Sequence, residues 1–202
     1  FLAYRKGIYL YTAMYNEGTW DITQVTEEGN AGHDLDMVID ESGSVYISYA
    51  DVSNFQGSQL HAAFGHFGSW SLHLADPTHG GGLGSSIALD DYSRPNIVHH
   101  TGDSVRFARY TGTGWEHSVV AEDAEFAGKT LVALKSDGRP VAIYFMNDVP
   151  MYAEAKATEP SDNDPGDPGD PGDPGDPGNG GDDDTGGGGG GGCFIATAAF
   201  GS

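Results

Sequence analysis

From Phe1 to Lys156 the chain is built of short apolar runs separated by clusters of Gly, Asp and Ser. Tyr9 to Tyr15, Leu60 to Phe64 and Val105 to Tyr110 are rich in aromatic and β-branched residues and stop at Gly-containing turns. No stretch of ten or more residues carries apolar positions at i, i+3, i+4 and i+7. Apolar runs this short, with turn residues at both ends, predict strands rather than helices.

The strands recur. Trp20, Trp70 and Trp115 each follow a Gly-containing turn, and each turn follows one of the three runs just named. Met151-Tyr152-Ala153-Glu154-Ala155 is a fourth copy of that run, with no Trp after it. Downstream of each Trp lies a predicted hairpin: Leu35 to Tyr49, Ser86 to His100 and Thr130 to Tyr144, turning at Ser42-Gly43, Tyr92-Ser93 and Asp137-Gly138. The tryptophans are spaced by 50 and 45 residues, and Gly43, Ser93 and Gly138 show the same two intervals. Two landmarks moving together define a repeat of the length and strand content of a propeller blade. A single four-stranded sheet cannot bury both faces, so such units shield one another by stacking.

The expectation is an all-β chain, a partial β-propeller of about three four-stranded blades. Residues 1–158 form the repeat region, with repeats at about 9–59, 60–104 and 105–150 and a last strand at 151–156. Phe1-Leu2-Ala3-Tyr4 aligns with Tyr46-Ile47-Ser48-Tyr49, so the chain is expected to open inside a blade, as a piece of a longer or processed protein. The Gly-x-Trp strand followed by a Ser-x-Ala-x-Asp-x-x-Gly-x-Pro-x-Ile-x-Tyr hairpin resembles bacterial sialidase-like repeats of the BNR type over Phe1 to Lys156. The turns at Asp40-Glu41-Ser42-Gly43 and Ser136-Asp137-Gly138 depart from the Asp-box, which places a Trp three residues after its Gly.

Charge narrows the partners. The chain carries a net charge of −21, nine units of it from the nine Asp after Ser161 and the remaining twelve on the repeat region. A surface of this sign repels phosphate backbones, which argues against nucleic acid as a partner and favours solubility. The single cysteine, Cys193, excludes an intrachain disulfide and a Cys-based zinc site. No run reaches the ~18 apolar residues of a membrane span.

The resemblance to sialidases implies three arginines on a substrate carboxylate, a Tyr–Glu nucleophile pair and an Asp acid. The arginines available are Arg5, Arg94, Arg106, Arg109 and Arg139. Arg94 and Arg139 hold equivalent turn positions, and Arg106 and Arg109, three apart on one strand, face opposite ways. No catalytic set is assigned. His99-His100 are adjacent on a strand and point to opposite faces, and His61, His66, His73 and His79 are scattered, so no metal site or cofactor is assigned either. The loop from His79 to Ser86 lacks the Lys and following helix of a phosphate cradle and reads as a blade connection needing positive φ. Tyr4, Tyr49, Asp51, Tyr144 and the tryptophans are candidates to line a carbohydrate or peptide groove, against the alternative that they pack blade on blade.

Residues 159–192 form a linker. Asp164 to Gly178 is five Asp-Pro-Gly triplets, followed by Asp182-Asp183-Asp184 and by Gly186 to Gly192. Pro blocks helix and sheet, Gly adds freedom and the acids repel, so an extended, disordered spacer is expected, with loose Ca²⁺ association by its Asp residues at most. Residues 193–202, Cys193-Phe194-Ile195-Ala196-Thr197-Ala198-Ala199-Phe200-Gly201-Ser202, resemble the bacterial CFI-box C-terminal region, with Phe200 in place of Tyr. That resemblance implies a surface or envelope protein whose tail acts in sorting or anchoring, with Cys193, Phe194 and Ile195 as the processing or anchoring residues and envelope sorting machinery as a partner.

Together these readings lead to a non-catalytic binding or display module, extracellular or on a bacterial surface, with a carbohydrate or protein ligand. The alternatives are a sialidase-like glycoside hydrolase with its catalytic residues in upstream blades, and a matrix protein assembled through sheet edges.

Overall fold

The computed structural model describes residues 1–54, 57–125, 128–156 and 194–198, the last segment and residues 53–54 as backbone only. All regular structure among them is strand. The order is β1 (Leu2–Lys6), β2 (Tyr9–Asn16), β3 (Thr19–Gln24), β4 (His33–Ile39), β5 (Val45–Asn54), β6 (Gly57–His66), β7 (Ser69–Asp76) and β8 (Leu83–Leu89). It continues with β9 (Pro95–His100), β10 (Val105–Tyr110), β11 (Trp115–Ala121), β12 (Leu131–Leu134), β13 (Pro140–Met146), β14 (Val149–Ala155) and β15 (Phe194–Ala198). They form four antiparallel sheets: β1-β2-β3, β4-β5-β6-β7, β8-β9-β10-β11 and β12-β13-β14-β15.

Within each four-stranded sheet the neighbours in sequence are neighbours in space, apart from the long step from β14 to β15. The expected hairpins are β4–β5, β8–β9 and β12–β13, and their turns share one backbone design. Gly43 N donates to Asp40 O, Ser93 N to Asp90 O and Gly138 N to Lys135 O, and this fourth residue of each turn sits at positive φ, 83°, 57° and 80°. Gly adopts that conformation without steric cost, which is why two of the three turns use it. The sheets are cut two strands out of step with the sequence repeat, since each four-stranded sheet opens on a hairpin, and the first three sheets end on a Trp-bearing strand.

The sheets stack face to face. Three apolar clusters lie between them. One joins Leu10, Val25 and Ala31 to Val45, Ile47 and Tyr49. The next joins Leu60, Ala62 and Ala75 to Ile87, Ile97 and Ala108. The last joins Val98, Val105 and Phe107 to Ala142, Tyr144 and Ala153. This is the mutual shielding that the repeat requires, one cluster per seam.

The leading strands tie the seams with hydrogen bonds. The Asp36 carboxylate accepts from Ser86 Oγ and from Ile87 N, both at 3.1 Å, and Ser86 Oγ accepts from Val132 N at 3.3 Å. Asp34 and Gly84, fifty residues apart, are both at positive φ where the ladders of β4 and β8 slip register. Among the described residues, nothing covers the two ends of the stack. Trp20 is 52% exposed and Ile22 58%, while on the far sheet Leu131 is 53% exposed.

Candidate functional site

Two polar constellations sit on the seams, and they differ in burial. Between the second and third sheets, the Asp76 carboxylate closes β7 and is fully buried. Its Oδ2 accepts from Arg106 Nε at 2.8 Å and from His99 Nε2 at 3.3 Å, and its Oδ1 accepts from Thr78 N at 2.9 Å. Gly82 N donates to His99 Nδ1 at 3.0 Å, so the proton of that ring belongs on Nε2, facing Asp76. Burial alone would raise the pKa of Asp76. The hydrogen bonds from His99, Arg106 and Thr78 outweigh it and hold the carboxyl well below the usual carboxylate range. Every charge here is answered internally, and the arrangement pins the connection between the two sheets.

Between the first and second sheets the constellation is open. Asn30 Oδ1 accepts from Arg5 Nη2 at 2.8 Å and lies 3.3 Å from His33 Nε2. Asn30 N donates to Asp51 Oδ1 at 3.2 Å, and Val52 N donates to Asn30 O at 3.1 Å. Gly29, at φ +91°, lies so close to Asp51 that a Cβ there would collide with the carboxylate. Gly32, at φ +83°, lets the loop close on Arg5 and Leu10. The sequence Gly29-Asn30-Ala31-Gly32-His33 therefore folds into a tight crossing from β3 to β4 that presents the Asn30 side-chain amide to Arg5 and His33 and its backbone N–H to Asp51. Partial burial and then the Arg5 charge lower the pKa of His33, which favours a neutral ring. Arg5, Asn30, His33 and Asp51 offer cationic, amide, imidazole and carboxylate groups within one partly solvated patch, beside the exposed Ile8.

The other arginines are committed to acids. Arg94 Nε lies 2.8 Å from Asp90, Arg109 Nη2 lies 2.6 Å from Glu116, and Arg139 bridges Asp137 and Glu154. Arg106 and Arg109 face opposite ways, one into the seam and one outward, whereas His99 and His100 are both buried, His99 against Asp76 and His100 against the Ala124 backbone. Among the described residues Arg5 makes no ion pair, and no three of His, Cys, Asp and Glu gather to hold a metal.

Of the aromatic candidates for a groove, Tyr49 and Tyr144 are buried in the seams and belong to packing. Trp70 and Trp115 pack against the clusters of the preceding seams. Tyr4 remains half-buried, stacked on Tyr11 with ring centroids 5.8 Å apart, and Trp20 lies 5.2 Å from Tyr15 on the exposed end face. Of the stretch from His79 to Ser86 expected to be a loop, only residues 79–82 connect the sheets and Leu83 to Ser86 already belong to β8, with Gly80, Gly82 and Gly84 at positive φ. Cys193 lies outside the described residues, whereas the backbone of Phe194 and Ile195 belongs to β15. The sequence reading singled out Asp51 but not Arg5, Asn30 and His33 as its companions. The signal available was the Gly-Asn-Ala-Gly run, which only a close backbone approach requires.

No family model matches the sequence, and no curated protein matches it. Among solved structures the chain is similar to a fucose lectin from Kordia zhangzhouensis in complex with methyl-fucoside. The identity is 15%, the match covers 59% of this chain and 90% of the lectin, and the TM-score is 0.44. At that level the likeness assigns neither a fold nor a ligand to this chain.

Proposed function

We propose that this chain is a non-catalytic binding module of the stacked-sheet, propeller type, acting outside the cell or on a bacterial surface. Its ligand is a polyhydroxylated molecule, a carbohydrate in the first instance, taken at the seam of Arg5, Asn30, His33 and Asp51. The observation that carries this is Arg5: among the described residues it is the arginine without a carboxylate partner, and it stands on an open seam beside an amide, an imidazole and an acid. A guanidinium and a carboxylate each bind paired hydroxyls through two parallel hydrogen bonds, the pattern that vicinal sugar diols present. The acidic spacer and the Cys193-Phe194-Ile195 tail fit display from an envelope by sorting or anchoring machinery.

The test is a glycan array followed by titration calorimetry, with wild type and Arg5→Ala, alongside a turnover assay on glycosides. Binding without turnover, weakened about tenfold or more in the variant, is expected, because a hydrogen bond to a charged group contributes about 1.5–3 kcal/mol. Hydrolysis of any glycoside would replace this reading with the glycosidase one.

A further inference from the structure

In the first three sheets the outer strand follows its neighbour through a short turn: β2 to β3 at Glu17-Gly18, β6 to β7 at Phe67-Gly68, and β10 to β11 across residues 111–114. The fourth sheet is built differently. β14 ends at Ala155, and its outer partner is β15, Phe194–Ala198, reached only after residues 156–193. The two strands pair antiparallel with Ala155 opposite Phe194, Glu154 opposite Ile195, Ala153 opposite Ala196, Tyr152 opposite Thr197 and Met151 opposite Ala198.

The register of this pairing is that of the repeat. Trp20 stands opposite Tyr15, Trp70 opposite Gly65 and Trp115 opposite Tyr110. Stepping by 50 and 45 residues, and by the further 45 that carries the Val98–Phe107 pair onto Ile143–Tyr152, leads along the penultimate strands from Tyr15, Gly65 and Tyr110 to Ala155, whose partner is Phe194. An aromatic residue from the far end of the chain thus takes the register position that Trp holds in the other three sheets. Thr197, opposite Tyr152, likewise holds the position of Thr23, opposite Thr12. Pairing and sequence match are separate observations, and both mark Phe194–Ala198 as the fourth strand of this sheet.

We propose that the outer edge of β14 is a peptide-binding site whose ligand is the chain's own Phe194–Ala198 segment. An unpaired β14 would present a row of free backbone N–H and C=O groups, and strand addition satisfies them. A two-residue turn fixes a strand permanently beside its neighbour. A strand joined to its neighbour across residues 156–193 is not held there by a turn, so its docking is an association that can reverse, with a closure entropy that grows only slowly with the length of the connection. The same segment carries the tail motif, so its docking on β14 withholds that motif from any other binder until the strand leaves.

The experiment uses the full chain and backbone hydrogen–deuterium exchange. The expected result is slowed exchange at residues 194–198 and along β14, at least tenfold below that of residues 186–192. The full-length Ile195→Pro/Ala196→Pro double variant places a proline at whichever amide points to β14. It should remove that protection from the amides of Met151 to Ala155 that point to β15, while those paired with β13, and β5 and β9, stay protected. A synthetic peptide of residues 193–202, with Cys193→Ser, should compete and free the chain's own tail. Exchange at 194–198 as fast as in the free peptide would overturn the proposal. So would unchanged exchange of β14 in the double variant, or loss of protection throughout the chain, which would make the strand a fixed part of the fold.

Discussion

The Asp76 carboxylate, closing one sheet, lies 2.8 Å from Arg106 Nε on the next, with its side chain 1% exposed. An acid so deeply placed is tolerated because Arg106, His99 and Thr78 all donate to it. Removing it leaves the His99 Nε2 proton without its acceptor inside the seam. Asp76→Ala should therefore destabilise the fold by about 3 kcal/mol. Urea unfolding checks this, with the midpoint falling and the slope unchanged.

The same network sets a response to acid. The folded-state pKa of Asp76 lies below the ordinary carboxylate value, so its contribution is present above about pH 4 and is lost as pH falls through the folded value. Asp40 behaves alike. Hydrogen bonds from Ser42, first its hydroxyl, together with Ser44 and Ser93, hold it at about 2 against a smaller effect of burial. Stability should decline progressively from about pH 4 to about pH 2. Asp40→Asn should flatten that part of the curve, and stability measured across the pH range in wild type and variant decides it.

Two glycines should separate backbone strain from crowding. Gly43 is at φ +83° with open space where a Cβ would stand. Gly82 is at φ +87°, but its Cβ would lie 2.9 Å from Ala50 Cα and 3.0 Å from Gln59 O. Gly43→Ala should cost about 1 kcal/mol, for the left-handed conformation alone. Gly82→Ala should cost more than about 2 kcal/mol, because backbone must also move. Thermal unfolding of the two variants side by side gives the order.

Trp20 and Trp70 hold one register position in successive sheets, yet Trp20 is exposed and the indole nitrogen of Trp70 is buried. The cause is the neighbour: Trp70 leans on the first sheet, and nothing among the described residues covers Trp20. Iodide should quench the fluorescence of Trp20 far more strongly than that of Trp70 or Trp115, measured in variants that retain one tryptophan each.

Strand content, hairpin turns and the repeat interval were all readable from the chain, because turn chemistry at Gly43, Ser93 and Gly138 and the tryptophans repeat with one spacing. Where a sheet begins was not readable. A repeat has no origin in sequence, and cutting before Tyr9 or before His33 satisfies the same period. That His99 and His100 alternate along one strand was readable, but the partnership of His99 with Asp76 needed the packing of two sheets. Phe194–Ala198 escaped for a different reason. Phe-Ile-Ala-Thr-Ala shows little alternation, and its partner strand β14 is distant in sequence, where local pattern carries no information.

The most direct test of the functional account is calorimetric titration of array-selected glycans into wild type and Arg5→Ala, with circular dichroism to show that both are folded. The account predicts a saturable, one-site isotherm for wild type and an affinity about tenfold or more weaker for the variant. Equal affinity in the two proteins, or no glycan bound by wild type, would contradict it.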